Sequence, residues 1–335
     1  VELLAPEYAS NISSELLAVL EKRGYEAGQY NVLGPDPWRI IWNDDRSGFI
    51  SFLEAKKCLV TWRSPVACDE QHRVLLERLA SYASQTKREL FILEANEASR
   101  AAGLELGMTS IWTGSESYLD LATWSLEGTK RANIRWSKNR AIKDGLDWRE
   151  AFPATNVMDK RGIHHVEEWW KAERTERRTD SFLRTDFEEL MSLRRYFVCE
   201  KLGEIIAFVT CTPVNADGWY LQDIVRTPDA SRGALEGAMA YALDIFQKEG
   251  FAFVSNGPLP FWEPSVDWSD PHQFGFFGNH VLRFFNRQYR FKGISQFRSK
   301  FEPDWTRSLY VLRSQRFITP GVGLSLIKLL KRKLS

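Results

Sequence analysis

The chain runs through one order of elements twice, and nothing else in it restricts the possible folds as much. In the first half, runs rich in β-branched and aromatic residues at 38–42, 48–53 and 58–62 predict three strands. A helical pattern follows over 69–84, where Val74, Leu75, Leu79 and Tyr82 recur near the 3.6-residue period. A strand at 89–93, a short helix around 97–106 and a strand near 111–121 complete this half. The second half repeats the succession, with strands at 196–200, 205–212 and 219–225 joined by turns at Gly203 and Asp217-Gly218. A helix over 234–248 stops at Gly250, where a left-handed cap fits, and 251–255 is the next strand.

Three strands, a helix and another strand, taken twice, resemble the core succession of the GNAT acyltransferase fold. The expected class is α/β, an α+β mixed sheet, in tandem GNAT-like domains joined by a long basic helix. In that fold a helix N-terminus faces the acyl donor, where unpaired backbone N–H groups can hold phosphate. The length of 335 residues agrees, since about 150 residues per domain predicts two domains. The expected boundaries are an N-terminal GNAT-like domain at 1–122, a connecting helix at 123–146, a catalytic GNAT-like domain at 147–315 and a basic amphipathic tail at 316–335.

A net charge of +1 excludes a polycation, so any nucleic-acid role must come from a local patch. No run approaches the roughly 18 apolar residues of a membrane span, and the N-terminal residues lack a signal peptide's pattern. Cys58, Cys68, Cys199 and Cys211 show no CxxC spacing and read as reduced thiols in a cytoplasmic setting. Adjacent His164 and His165 point to different sides of a helix and have no ligand partners at suitable spacing, so no metal is expected.

Residues 124–145 read as one helix in which Arg131, Arg135 and Lys138 fall at i, i+4 and i+7, with Lys130 beside them. Such a stripe is either a solvated face or a rail for a polyanion such as tRNA, where each cation gains by displacing counterions. The strand at 219–225 runs into a loop whose Gly233 and Gly237 give a degenerate version of the glycine-rich pyrophosphate loop of acyl-CoA enzymes. The matching junction at 62–69 contains no glycine, so backbone cradling of phosphate is not expected there.

Asp223 and Arg226 lie three apart at the end of a central strand, either as a structural pair or as groups for an amine and a phosphate or carbonyl. Further on, Arg298 and Lys300 alternate with Phe297 and Phe301. An extended conformation there would put both cations on one face. At the C-terminal end, Leu326, Ile327, Leu330 and Leu334 share one helical face and Lys328, Lys331 and Arg332 the other. This pattern fits either a foot on anionic lipid or a helix docked on the protein's own core.

Several separated motifs, in order, resemble the catalytic C-terminal region of the lysyl- and alanyl-phosphatidylglycerol synthases. They are Leu119 to Arg135 continuing through Asn139-Arg140 to Gly145, Asp223-Ile-Val-Arg226 with Pro228-Asp229-Ala230, Asn256-Gly257 with Pro258-Leu259, and Phe297 to Trp305. The resemblance implies a dual-GNAT fold that takes an amino acid from aminoacyl-tRNA and esterifies it to a lipid hydroxyl, with no cofactor. It implies that Asp223 and Arg226 hold the aminoacyl group and that Lys300, with Arg298, faces the tRNA end or the lipid phosphate. Asn256 and Gly257 then contact substrate, and the helix bearing Lys130, Arg131, Arg135 and Lys138 lies along the tRNA. The expected partners are aminoacyl-tRNA and an anionic membrane, met peripherally on its inner face. An acyl-CoA-dependent N-acyltransferase and a non-catalytic tRNA- or membrane-binding module are the alternatives. The middle residues of Asp223 to Arg226 and the arginine at 298 depart from the usual pattern, which leaves the amino acid and the acceptor open.

Overall fold

The computed structural model describes residues 6–173, 187, 190–260, 291–315 and 319–330. The strands are β1 (Glu7–Tyr8), β2 (Arg39–Trp42), β3 (Phe49–Glu54), β4 (Cys58–Trp62), β5 (Glu89–Ala95) and β6 (Thr109–Asp120) in the first half. They continue with β7 (Leu146–Ala151), β8 (Arg195–Lys201), β9 (Glu204–Val214), β10 (Gly218–Arg226), β11 (Phe253–Pro260) and β12 (Trp305–Arg313). The helices are α1 (Ser13–Arg23), α2 (Asp69–Gln85), α3 (Glu97–Glu105), α4 (Ala132–Lys143), α5 (Val157–Glu173), α6 (Ala234–Lys248), α7 (Phe291–Ser299) and α8 (Pro320–Leu330).

All twelve strands form one sheet in the order β1-β2-β3-β4-β5-β12-β6-β11-β10-β9-β8-β7. Neighbours are antiparallel except for β4 with β5 and β10 with β11, the parallel pairs crossed by α2 and α6. The halves exchange their last strands: β6 pairs with β11 of the second half, and β12 pairs with β5 of the first. The centre of the sheet therefore draws on both halves, and a site there can be built from residues far apart in sequence.

Alternation sorts each strand between two layers. Leu59, Leu90 and Ile92 pack under Leu75, Leu76 and Leu79 of α2, while the intervening Val60 and Phe91 face Leu16 and Leu20 of α1. In the second half, Phe197, Val209 and Leu221 lie under Met239, Leu243 and Phe246 of α6. Val198, Phe208 and Val225 face Ile163 and Val166 of α5. Each such side chain contributes about 1.5–3 kcal/mol when fully buried, which fixes the register of the strands. Gly250 (φ 87°) takes the left-handed conformation just past α6, as the sequence predicts.

Two segments differ from the reading of the sequence. The helix read over 124–145 begins only at Ala132, because Arg131 (φ −122°) is its N-terminal boundary and the residues before it form turns. The segment through Phe297 and Arg298 is the helix α7, not an extended strand. Phe297 and Phe301 are four apart and pack on each other, a helical spacing that outweighs the period of two.

Candidate active site

The parallel strands β10 and β11 stay together for only three pairs, Gly218 with Phe253, Trp219 with Val254 and Tyr220 with Ser255. Beyond these they part. β10 bulges between Leu221 and Asp223 and follows β9, while β11 bulges between Ser255 and Gly257 and follows β6. The corresponding pair β4–β5 remains joined from Cys58 and Glu89 to Trp62 and Leu93. Only the second half opens its sheet in this way.

The opening carries several residues singled out from sequence. On one arm, the hydroxyl of Thr210 donates to Asp223 Oδ2 at 2.7 Å, and the Asp223 amide donates to the same hydroxyl at 3.2 Å. On the other arm, the Asn256 side-chain amide donates to the Arg298 carbonyl at 2.9 Å. Arg298 donates from Nη1 to the Pro258 carbonyl at 3.2 Å. Gly257 sits at φ 86°, and a Cβ added there would land on the Arg298 guanidinium. Glycine is thus required twice over, by backbone conformation and by the arginine lying against it.

Arg226 does not join Asp223 as expected. Ile224 packs with the α6 layer and Val225 with the α5 layer, so alternation puts Asp223 and Arg226 on opposite sides of the sheet. The Arg226 guanidinium donates to the Ala230 carbonyl at 2.7 Å and braces the following loop. Lys300 also points elsewhere, to Glu236 in the first turn of α6 at 3.0 Å and over the Phe297 ring. Because α7 is helical, Arg298 and Lys300 diverge instead of sharing a face.

The basic stripe is only partly presented to solvent: Lys130 is exposed, Arg135 and Lys138 are half-buried, and Arg131 is buried. The Arg131 side chain is 2% exposed, lies over the Trp124 ring, and meets Asp304 Oδ2 at 3.1 Å and the Phe301 carbonyl at 3.0 Å. Lys130 pairs with Asp304. The two cations and the Asp120 amide hold the Asp304 carboxyl below its ordinary range despite partial burial. Arg135 donates to the carbonyls of Leu126 and Gly128, and Lys138 meets Asp244 at 3.6 Å. Lys130 and Arg131 thus fasten the entry to α4 onto the turn after α7, while Arg135 braces the turn before α4 and Lys138 ties α4 to α6.

Beside the opening lies a charged cluster that sequence reasoning missed. Arg63 at the end of β4 is 1% exposed and meets Glu116 of β6 at 2.7 Å and Glu94 of β5 at 3.2 Å. The Ser255 hydroxyl donates to Glu116 Oε1 at 2.6 Å, and the Ser64 amide donates to Glu26 Oε2 at 2.9 Å. Burial pushes the Glu94 carboxyl up to about 7, against the pull of Arg63, and raises Glu26 as well. The three carboxylates outweigh the cost of burial on Arg63 and keep its guanidinium charged. Tyr220 lies between this cluster and Asp223 and feels Arg298, Arg63, Glu94 and Asp223 electrostatically; burial raises its phenol. The available signal was Glu94 at the end of the apolar run of β5; Glu116 sits between serines in β6 and gave none.

The profile of the family described as "Phosphatidylglycerol lysyltransferase, C-terminal" matches residues 37–313. The chain belongs to this family. It is 22% identical over 304 residues to a phosphatidylglycerol lysyltransferase of Bacillus subtilis (strain 168), across 89% of this chain and 35% of the relative. The chain thus spans about a third of the length of the curated relatives it matches. Two solved structures share its fold. The C-terminal domain of an Agrobacterium fabrum protein assigned as a lysylphosphatidylglycerol synthetase aligns with a TM-score of 0.81 at 18% identity, covering 96% of this chain and 97% of that one. L-PGS from Bacillus licheniformis aligns at 0.78 and 19% identity with the same coverage.

Within the family fold, the glycines read as a degenerate pyrophosphate loop have another use. A Cβ at Gly233 would strike the Ser137 carbonyl of α4, and one at Gly237 the Trp148 indole. That indole donates to the Ala234 carbonyl at 2.9 Å. Both glycines admit α4 and β7 against the start of α6, so their presence carries no phosphate signal. The terminal helix α8 docks Val322 and Leu329 into the first-half core, with Leu326 against it, and the Lys57 amide donates to the Ser325 hydroxyl at 3.0 Å. This is the core-docked reading of that segment. Lys328 is exposed, while Lys331 and Arg332 lie outside the described residues. Among the described residues no helix is long and apolar enough to cross a membrane.

Proposed function

We propose that this chain is the catalytic region of an aminoacyl-tRNA-dependent transferase that moves an amino acid onto a hydroxyl of a phosphatidylglycerol-like lipid, working at the cytoplasmic surface of an anionic membrane. The parting of β10 from β11, with Asp223 on one arm and Asn256, Gly257 and Arg298 on the other, carries this reading. It supplies an open centre lined by an acceptor and a cation in a chain of the lysyltransferase family.

Transfer between two hydroxyls exchanges one ester for another. The lipid oxygen bonds to the aminoacyl carbonyl carbon, the bond to the ribose oxygen breaks, and the proton passes from lipid hydroxyl to ribose. Little driving force is involved, so the protein's work is orientation and stabilisation of the tetrahedral oxyanion. Arg298, held from Nη1 by the Pro258 carbonyl, is a cation lying against the parted strand β11. Asp223, oriented by Thr210, anchors the donor's amine or takes the hydroxyl proton.

The test is transfer of radiolabelled amino acids from a mixed pool of charged tRNAs into the lipid of anionic vesicles. Wild-type protein should label a lipid product in an RNase-sensitive way, and Asp223→Ala should lower the rate at least a hundredfold with an unchanged melting temperature. Equal turnover by the variant refutes the site. Absence of lipid label together with a melting-temperature shift by an acyl-CoA thioester refutes the reaction.

A further inference from the structure

The cluster around Arg63 has more carboxylate than its own partners satisfy. Glu116 is satisfied on both oxygens, by Arg63 and Ser255. Glu26 is 6% exposed and spends Oε2 on the Ser64 amide, while its Oε1 has no hydrogen-bond partner among the described residues. Glu94 Oε2 stands 3.2 Å from Arg63 but likewise lacks a directed hydrogen bond. Unused acceptors at this depth cost roughly 1–3 kcal/mol each and need a reason. Three carboxyl groups face one central guanidinium, and the second cation, Arg298, is already bound to the Pro258 carbonyl.

The cluster lies close to the surface on the Glu94 side. The Glu94 side chain is 18% exposed, and Trp62 and Tyr220 beside it are half-buried. Gly28, in a left-handed turn (φ 81°), faces Trp62, Asn31 and Tyr220 with no side chain of its own. Tyr220 links this side to Asp223 on the parted strand. A buried carboxylate with an unfilled oxygen, coupled electrostatically to the Tyr220 phenol, suits a compact cation with several donors.

We infer that this cluster receives a primary ammonium group, one amine of the donor's amino acid, and that Glu94 is the residue that meets it, which leaves Asp223 to hold a second amine or to take the hydroxyl proton. The inference rests on the aminoacyl-transfer reading above and adds the subsite that recognises the donor. Arriving ammonium takes the place of the proton on Glu94, so binding near neutral pH releases a proton. The groups that set this exchange are Glu26 from the turn before residues 29–33, Arg63 from β4, Glu116 from β6, Tyr220 from β10 and Arg298 from α7.

Three probes titrated calorimetrically into the whole chain test it: L-lysine methyl ester, L-norleucine methyl ester, which keeps only the α-amine, and methyl 6-aminohexanoate, which keeps only the distal one. Lysine ester should bind at least tenfold more weakly to Glu94→Gln than to wild type, with proton release in wild type alone. Whichever single-amine probe shows the same loss identifies the amine that is read. If the Gln variant does not fold, Glu94→Asp, which keeps the charge but withdraws it by one methylene, is compared instead. Equal binding of all probes to both proteins, or no binding to wild type, overturns the inference. Transfer from charged tRNA is measured on the same preparations. Normal transfer without Glu94-dependent binding removes the subsite alone, and Glu94-dependent binding without transfer removes the transferase reading alone.

Discussion

Replacing Gly257 by alanine separates the site from the fold that carries it. The residue sits at φ 86°, and an L-residue held in the left-handed region costs about 1–2 kcal/mol. The new methyl also occupies the place of the Arg298 guanidinium, which must swing away and give up its bond to the Pro258 carbonyl, worth roughly 1.5–3 kcal/mol as a charged hydrogen bond. Together these predict a loss of about 2.5–5 kcal/mol and, at the usual unfolding entropy per residue, a melting temperature lower by about 4–7 °C. Transfer should fall much further, on the order of a hundredfold, because a shift of about 1 Å in a positioning group costs that much. Gly107→Ala is the control, since it has φ 77° and open space around the added methyl. It should lose only about 1–2 kcal/mol and keep full transfer. Thermal unfolding and the vesicle transfer assay on both variants decide the matter. If Gly257→Ala matches Gly107→Ala in both, the contact between Arg298 and Gly257 has no part in the reaction.

Two further outcomes follow from buried charge. Glu94 binds its proton up to about pH 7 in the folded chain but only to about 4.5 when unfolded, so the native state holds the extra proton between these values. Its contribution to stability is fully present below pH 4.5 and is lost as pH rises through 7, by at most about 3 kcal/mol. Urea unfolding of wild type minus Glu94→Gln across pH 5–8 should show that slope; a flat difference refutes it. Arg131→Ala should cost about 3–5 kcal/mol, because it leaves the partly buried Asp304 carboxylate short of a partner and opens space over Trp124. If the variant instead keeps its melting temperature and weakens tRNA binding with a salt slope reduced by about one, the residue belongs to an RNA surface after all.

Element type and order were legible because they depend on local periods. The run Cys58–Trp62 and the helix Ala234–Lys248 lie where the spacing of apolar residues puts them, and Gly250 ends the helix as a left-handed cap should. Some of the candidate residues also came together: Asn256, Gly257 and Arg298 contact one another beside β11, and Asp223 lies on the β10 arm of the same opening. The pairing of cations was not. Arg131, Arg135 and Lys138 read as a stripe because sequence spacing records direction around a helix, while their partners Asp304, Leu126, Gly128 and Asp244 come from other segments. The same holds for Lys300, which turns to Glu236 once the preceding residues coil.

The sequence by itself determined the repeated strands and helices of the two halves, that their order occurs twice, and which family the chain resembles. Tertiary structure alone decided that the halves trade their last strands, that β10 and β11 part after three pairs, and that Glu26, Arg63, Glu94 and Glu116 converge. Hydrophobic period is a property of neighbours along the chain, readable without knowing the fold. Whether a buried charge has a partner depends on which strands lie side by side, and that is set by the packing of the whole sheet.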